Sequence, residues 1–332
     1  MKHELSRRAA LKLGVSGLVL ASPVASTFAS AQTSSDFPAE IRLDWGYYSS
    51  HTLLIKNKGW LEDAFKDVGT KISWVQSRGS NNSLEFLKVG STDFAGSAAL
   101  SAFLSRANGV PLKVIFVASW GGSSIIQVKS GSPLQSVADL KGKTIAVTKG
   151  TAPYFTLVRA LAQANLTIND LKIVNLQHPE GFNALRQGQV DAWVGIDPQT
   201  AQAEIAGDRA IFSDRSWREG SVFSVSEDFL AKYPKAVETL LGVWVKTQTW
   251  IRENNEEFVS FVSAQAGGDT EVTRRTISRR DYSDPVPGDE LLASIKTATP
   301  LLGSEVLRPG VDVDKVLGQL IDPTPAKKVV GA

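Results

Sequence analysis

The chain has 332 residues and no cysteine, and its 36 basic and 34 acidic side chains give a formal net charge of +2 at pH 7. The absence of cysteine excludes disulfides, thiolate metal sites and cysteine nucleophiles. Lys2, Arg7, Arg8 and Lys12 against Glu4 give the first 31 residues a net charge of +3, so the rest of the chain carries about −1. This balance gives no case for nucleic-acid binding.

The first 31 residues have the pattern of an export signal. Arg7 and Arg8 form a twin-arginine pair, residues 13–21 are apolar and uncharged, and residues 29–31 form a small-residue cleavage site. The apolar run is shorter than the roughly 20 residues that span a bilayer, and a retained membrane anchor is the alternative. We therefore predict a twin-arginine signal peptide at 1–31, a periplasmic location, and a mature chain of 301 residues that suffices for about two domains.

After a polar linker, residues 37–120 alternate predicted strands and helices. Strands are expected at 41–45, 71–74, 94–97 and 112–118, and helices at 51–66 with a bend at Gly59, at 83–89 and at 100–108. Ligands of open α/β sheets bind outside the carboxyl ends of the strands, so we expect the loops after the first three strands to face a ligand. These loops contain Tyr48, Ser50, His51, Gly79, Ser80, Asn81, Ser97 and Ala98.

Residues 144–154 give the clearest local signal, which is a β-branched strand, a tight turn and a helix start. Gly150 permits a sharp turn, Thr151 is expected to cap the helix, and Pro153 is tolerated in its first turn. The unpaired N–H groups and partial positive charge of a helix start attract anions. This pattern predicts capture of a small anion by backbone donors at Gly150, Thr151 and Ala152.

Residues 121–219 are predicted to form a second α/β unit around this turn. Strands at 125–129, 144–148, 171–176, 192–196 and 210–212 alternate with helices at 154–164, 182–187 and 198–206, which is typical of a mostly parallel sheet. A strand at 221–225 then returns to the first unit, helices continue to residue 321, and residues 323–332 look frayed.

The predicted fold is α/β, with two lobes and a cleft between them. Lobe 1 comprises residues 37–120 and 220–322, and lobe 2 comprises residues 121–219. Two crossings, near 119–123 and 217–220, would form a hinge.

Several motifs resemble the substrate-binding proteins of ABC importers for aliphatic sulfonates, within the sulfonate, taurine and nitrate superfamily. They fall between residues 41 and 321 and include Lys58-Gly-Trp-Leu-Glu62, Gly90-Ser-Thr-Asp-Phe94, Ala146-Val-Thr-Lys-Gly-Thr151, Gln177-His-Pro179 and Asp191-Ala-Trp-Val-Gly-Ile-Asp-Pro198. The resemblance implies a type II periplasmic-binding-protein-like fold, hinge closure on the ligand, and delivery to an ABC permease in the inner membrane for sulfur acquisition. A monomer is expected. Arg78 stands where the family pattern has an apolar residue, so its side chain points either into the cleft or to the surface.

A sulfonate stays charged at any periplasmic pH, and neutral donors can hold it. Each helix start contributes on the order of 0.3–1 kcal/mol, so several must converge. Trp120 is expected to cover the apolar part of the ligand, and His178 is expected to touch the ligand or to serve a structural role. Asp197 either starts the helix at Pro198 or accepts a ligand ammonium group. Helix capping alone also explains each polar loop. The sequence leaves open whether the Lys149 ammonium group points into the cleft or to solvent.

The motifs indicate a binding protein rather than an enzyme. The sequence has no Gly-x-Ser-x-Gly, Walker or Rossmann motif and no histidine spacing typical of metal sites, so no catalytic residue, cofactor or metal is expected. The predicted ligand is an aliphatic sulfonate. The alternatives are a receptor for taurine, a sulfate ester, nitrate or a small carboxylate, an exported enzyme on the same fold, and a periplasmic sensor partner. Asp281 and Tyr282 lie in a loop that could reach the cleft rim.

Overall fold

The computed structural model describes residues 36–122, 124–213, 217 and 219–331. The predicted signal peptide at 1–31 lies outside these residues. None of the described helices is both long and apolar enough to cross a membrane.

The first part of the described chain alternates strands and helices, as predicted. Its elements are β1 (Glu40–Trp45), α1 (Ser50–Lys58), α2 (Trp60–Phe65), β2 (Lys71–Gln76), α3 (Ser80–Lys88), β3 (Phe94–Ala98), α4 (Ala99–Ala107) and β4 (Leu112–Gly121). Strands β1 and β2 pair in parallel, with Glu40 opposite Lys71. Gly59 has a φ of +67° and separates α1 from α2, so the predicted bend is a break between two helices.

The middle of the chain forms a five-stranded sheet. Its elements are β5 (Ile125–Val128), β6 (Thr144–Val147), α5 (Ala152–Gln163), β7 (Lys172–Asn175), α6 (His178–Arg186), β8 (Ala192–Gly195), α7 (Gln199–Ile205) and β9 (Arg209–Ser213). The strand order is β7–β6–β8–β5–β9. Strand β6 is parallel to β7 and β8, whereas β5 is antiparallel to β8 and β9. The chain enters β5 directly from β4 without a crossover helix, so β5 is the one reversed strand in the mostly parallel sheet that was predicted.

The last part returns to the first strands and then becomes helical. Its elements are β10 (Gly220–Ser226), α8 (Glu227–Lys232), α9 (Pro234–Glu253), α10 (Asn255–Ala266), α11 (Thr270–Ser278), β11 (Arg280–Asp281), α12 (Asp289–Ala298), α13 (Val313–Leu320) and α14 (Thr324–Val330). Strand β10 is antiparallel to β3 and β4 in a sheet of order β11–β4–β10–β3, which confirms the predicted return of residues 221–225.

The predicted fraying of residues 323–332 is wrong for the part that is described. Helix α14 packs against α9, and Ala326 is fully buried in the core. Lys328 Nζ lies 2.7 Å from Glu238 Oε1 on α9. The short segment is ordered because its apolar side packs on a neighbouring helix, which a local sequence pattern does not reveal.

One buried cluster extends over elements of both predicted lobes. Phe103 of α4 belongs to the same apolar cluster as Val147 of β6 and Tyr154 of α5. A second cluster lies under β10 and α9, where the rings of Phe223 and Trp244 are 4.4 Å apart. The described residues belong to one compact unit, and the division into lobes at 120/121 and 219/220 stays a prediction.

Candidate functional site

One cavity gathers the loops that follow the strands. Eleven of the fourteen predicted ligand residues line it: Tyr48, Ser50, His51, Gly79, Ser80, Ser97, Ala98, Thr151, Ala152, His178 and Asp197. Ser97 and Ala98 end β3, and the other nine residues follow β1, β2, β6, β7 or β8. The cavity therefore lies where the carboxyl ends of these strands meet. Asn81, Trp120 and Gly150 do not line the cavity.

Five helices begin at this cavity without a side-chain cap. They are α1, α3, α4, α5 and α6, whose flanking residues Ser49, Gly79, Ala98, Thr151 and Gln177 make no capping hydrogen bond in the described structure. Of the other described helices, α8, α11 and α13 are capped by Ser226, Asp269 and Asp312, whereas α2, α7, α9, α10, α12 and α14 also have no side-chain cap. These helix starts supply backbone N–H donors at the cavity, except at Pro153 and Pro179, which have no N–H, and at Ala98, whose N donates to Ser80 Oγ at 3.0 Å.

Thr151 stands at the predicted N-cap position but does not cap the helix. Its Oγ1 donates to the Thr148 carbonyl oxygen at 2.6 Å and closes the turn instead. Gly150 has a φ of +74°, as the tight turn requires. The predicted turn is confirmed and the predicted cap is wrong, because the hydroxyl bonds back into the turn and not to a helix N–H group.

Asn81 and Gly150 lie beside the cavity and join its two sides. Asn81 Nδ2 donates to the Lys149 carbonyl oxygen at 3.0 Å, and Ser101 Oγ donates to the Gly150 carbonyl oxygen at 2.9 Å. Lys149 itself does not line the cavity. These bonds connect α3 and α4 with the β6–α5 turn.

Two further side chains lie away from the cavity: Trp120, which was expected to cover the ligand, and Arg78, whose direction the sequence left open. Trp120 is buried in the core, where its Nε1 donates to the Asp284 carbonyl oxygen at 2.8 Å. Arg78 is largely exposed, and its Nη1 lies 3.4 Å from Glu180 Oε1. Neither side chain lines the cavity.

Arg280 brings a positive charge into the cavity that the sequence patterns did not indicate. Its Nη1 donates to Ser119 Oγ at 3.3 Å and to Ser221 Oγ at 3.4 Å, and its Nη2 donates to the Tyr48 carbonyl oxygen at 3.3 Å. Its Nε is buried and has no hydrogen-bond partner among the described residues. The two-residue strand β11 holds Arg280 opposite Gly121 of β4. The cavity thus offers a guanidinium in addition to the neutral donors that were predicted.

Two histidines line the cavity in their neutral form. Burial lowers the pKa of His51 to about 3, with the Arg280 charge adding to the effect. Burial also lowers the pKa of His178 to about 4. Within the described structure, the buried Nε2 of His51 has no hydrogen-bond partner. At neutral pH these rings are therefore hydrogen-bonding groups and not counter-charges.

A buried carboxylate fixes one side of the cavity. Asp44 accepts hydrogen bonds from Tyr48 Oη at 3.0 Å, from Ser77 Oγ at 2.5 Å and from the backbone N of Gly96 at 2.9 Å. Burial raises the pKa of Asp44, and burial together with the Asp44 charge raises the pKa of Tyr48. This network holds the ring of Tyr48 and the end of β3 in place.

Asp197 lines the cavity with its charge already balanced. Its Oδ1 accepts from Thr200 Oγ1 at 2.5 Å and from Ala201 N at 3.2 Å, and it lies 3.0 Å from Arg279 Nη1. Helix α7 begins at Gln199, two residues after Asp197, instead of at Pro198 as predicted. The side chain therefore bonds to the first turn of α7 and to an arginine of the α11–β11 segment.

One acidic and two aromatic residues also belong to the lining. Glu219 and Trp217 both line the cavity, as does Tyr282 of the loop predicted to reach its rim. Burial raises the pKa of Glu219 to about 8, against the charges of Arg280 and Arg159. Sequence patterns gave no signal for Glu219, which belongs to neither a helix start nor a strand interior.

The fold that this arrangement defines is that of the periplasmic binding proteins, as predicted. The alkanesulfonate-binding protein SsuA from Xanthomonas axonopodis pv. citri, solved bound to MOPS, has a TM-score of 0.76 and 26% identity, over 84% of this chain and 98% of that chain. The desulfurization enzyme DSZB has a TM-score of 0.64 over 89% of this chain and 99% of that chain. Its identity of 16% indicates a common fold alone.

The chain belongs to the NMT1/THI5-like family, whose profile matches residues 49–268. A curated relative from Escherichia coli (strain K12), named "Putative aliphatic sulfonates-binding protein", is 28% identical over 292 residues. The match covers 87% of this chain and 89% of the relative. The predicted family resemblance is thereby confirmed over most of the chain.

Proposed function

We propose that this chain is the solute-binding receptor of an ABC importer and that it captures an aliphatic sulfonate in the cavity. The observation that carries the proposal is the position of the Arg280 guanidinium among five helix starts without side-chain caps. A sulfonate has three oxygens and a permanent charge, which suit a guanidinium and backbone N–H donors. The relatives named for alkanesulfonates support this ligand class.

The ligand contacts we propose keep the predicted residues of the cavity and add Arg280. The Ser50 and Ser80 side chains and the backbone N–H groups of Thr151 and its neighbours would meet the sulfonate oxygens. Asn81 and Gly150 would act indirectly, by joining the loops on either side of the ligand. The predicted role of Asp197 as an ammonium acceptor is weakened, since Arg279 already balances its charge.

We further propose that the receptor has no catalytic activity and works as a monomer in the periplasm, after loss of the twin-arginine signal. It would release its ligand to a permease in the inner membrane. The names of the relatives as binding proteins support the transport role. The fold shared with DSZB makes a turnover assay on sulfonates and sulfinates a necessary control.

Calorimetric titration of the mature chain tests the proposal. The ligands are short alkanesulfonates, taurine, a sulfate ester, sulfate, nitrate and a small carboxylate, in a buffer that contains no sulfonate. We expect an alkanesulfonate to bind with micromolar affinity or better, about −8 kcal/mol, and sulfate and nitrate to bind at least about tenfold more weakly. Binding of nitrate or a carboxylate without binding of any sulfonate would contradict the ligand class.

A further inference from the structure

Resting on the proposed function, we infer that Glu219 takes part in ligand capture as a neutral carboxylic acid, so that binding of the anion depends on the proton of this residue. Glu219 would donate a hydrogen bond to the ligand when protonated and repel the ligand when ionised. Affinity would therefore fall in alkaline solution.

The position of Glu219 is fixed by its backbone. Its N donates to the Trp217 carbonyl oxygen at 3.1 Å, and its carbonyl oxygen accepts from Gly121 N at 3.0 Å. Glu219 directly precedes β10 and lines the cavity. Its Oε1 is buried and finds no hydrogen-bond partner in the described part of the chain. The backbone therefore holds this residue at the cavity, and its Oε1 is available to bond to a ligand.

An ionised carboxylate is costly at this position. Burial without a hydrogen-bond partner disfavours the charged form, and it raises the pKa of Glu219 to about 8. Among the described residues, the charges that act in the opposite sense are Arg280 on β11 and Arg159 on α5. The Arg159 guanidinium lies 4.5 Å from the centre of the Trp217 ring. These two cations are insufficient to keep the carboxyl group ionised at neutral pH.

Four other described side chains of the cavity have shifted pKa values that leave this pH range clear. His51 and His178 have pKa values lowered by burial to about 3 and about 4. Burial raises the pKa of Tyr48 and Tyr282 above the ordinary tyrosine value. Asp197 is paired with Arg279. A change of affinity near pH 8 would therefore report on Glu219.

A bound anion makes the neutral form still more favourable. A negative ligand in the same cavity repels an ionised carboxylate, which raises the carboxyl pKa further. The protonated group instead has an O–H that donates to a sulfonate oxygen, while Arg280 supplies the positive charge. Above pH 8 the protein would consequently take up one proton as the ligand binds.

Calorimetry over a range of pH, in buffers without sulfonate and with different heats of ionisation, tests this inference. For wild type we expect affinity for an alkanesulfonate to be roughly constant up to pH 7 and to fall about thirtyfold by pH 9.5, with uptake of about one proton. Glu219→Gln keeps the size of the side chain and a neutral donor. We therefore expect this variant to bind the alkanesulfonate with nearly the same affinity at pH 7 and at pH 9.5. Glu85→Gln removes the same charge from an exposed side chain of α3 that does not line the cavity, and it should behave like wild type.

Three results would overturn the inference. The first is a wild-type affinity that is independent of pH, together with unchanged affinity in Glu219→Gln. The second is tighter binding at high pH that is lost in Glu219→Gln, since the ionised carboxylate would then be the active form. The third is absence of sulfonate binding at every pH in a folded protein, which would overturn the proposed function as well. Thermal unfolding of each variant verifies that it is folded.

Discussion

At the scale of single residues, Arg280 is the side chain that gives the cavity its positive charge. Its three hydrogen bonds to Ser119, Ser221 and the Tyr48 carbonyl oxygen are all 3.3–3.4 Å long. Such long bonds are weak, so a ligand oxygen can replace them at little cost. The guanidinium is thereby positioned by the protein and still able to bind an anion.

Replacement of Arg280 by glutamine should lower the affinity for an alkanesulfonate by roughly 10- to 100-fold. A hydrogen bond to a charged group contributes about 1.5–3 kcal/mol, and the serine hydroxyls that remain carry no charge. Calorimetric titration measures the loss. Arg280→Lys keeps the charge without the planar fork, so we expect an intermediate affinity.

Arg78→Gln is the matched control for this prediction. Arg78 is exposed, pairs with Glu180 and does not line the cavity. The affinity of Arg78→Gln should therefore equal that of wild type. Equal affinity in Arg280→Gln would show that neutral donors alone hold the ligand, as the sequence suggested.

The sequence predicted those parts of the site that are built locally. The turn at Gly150 and the polar loop at Ser50 are short strand–turn–helix patterns, and their meeting follows from the topology of α/β sheets. Arg280 could not be found in this way, because β11 has only two residues and exists through its pairing with β4. Trp120 was misjudged in direction, since the sequence shows that a strand is present but not which face is covered.

At the scale of elements, the β6–α5 turn determines where the donors of α5 point. Gly150 adopts a φ of +74°, which costs an L-residue about 1–2 kcal/mol. A Cβ at this position would lie 3.7 Å from Leu104 Cδ1 and 3.9 Å from Asn81 Oδ1, which is ordinary contact. Backbone strain, and not a clash, is thus the expected effect of a side chain here.

Gly150→Ala should lower the free energy of unfolding by about 1 kcal/mol and the ligand affinity severalfold. The strained turn would rotate the Thr151 and Ala152 N–H groups away from the cavity. Gly142→Ala is the matched control, because Gly142 also has a φ of +74°, lies outside the cavity and would place its new Cβ in open space. Urea unfolding should show a similar loss in both variants, whereas calorimetry should show weaker binding only in Gly150→Ala. Equal affinities would mean that the turn has no part in binding.

At the scale of the whole molecule, a buried ion pair links the two predicted lobes. Only 8% of the Arg279 side chain and 2% of the Asp197 side chain are exposed. Arg279 Nη1 lies 3.0 Å from Asp197 Oδ1. Arg279 also pairs with Glu204 of α7. Together with the bonds from Asn81 and Ser101 to the β6–α5 turn, this pair would break if the lobes moved apart about the predicted hinge.

Replacement of Arg279 by glutamine should therefore hinder closure around the ligand. Loss of one partner from a buried pair costs about 3–5 kcal/mol, since Asp197 would keep a charge without its guanidinium. Part of this loss destabilises the closed form that holds the ligand. We therefore expect the affinity for the alkanesulfonate to be at least roughly tenfold weaker. Small-angle X-ray scattering at saturating ligand should give a larger radius of gyration than for wild type.

Arg275→Gln separates this effect from a general loss of charge near α7. Arg275 lies on α11, the helix that directly precedes Arg279. Its side chain is 42% exposed, and its Nη1 lies 3.8 Å from Glu204 Oε2. Exposed pairs contribute about 0–1 kcal/mol, so its affinity and radius of gyration should match wild type. If Arg279→Gln reached the compact, ligand-bound radius of wild type and lost only thermal stability, the pair would stabilise the fold without controlling closure. The hinge would then depend on the hydrogen bonds of Asn81 and Ser101, which join the same two sides of the cavity.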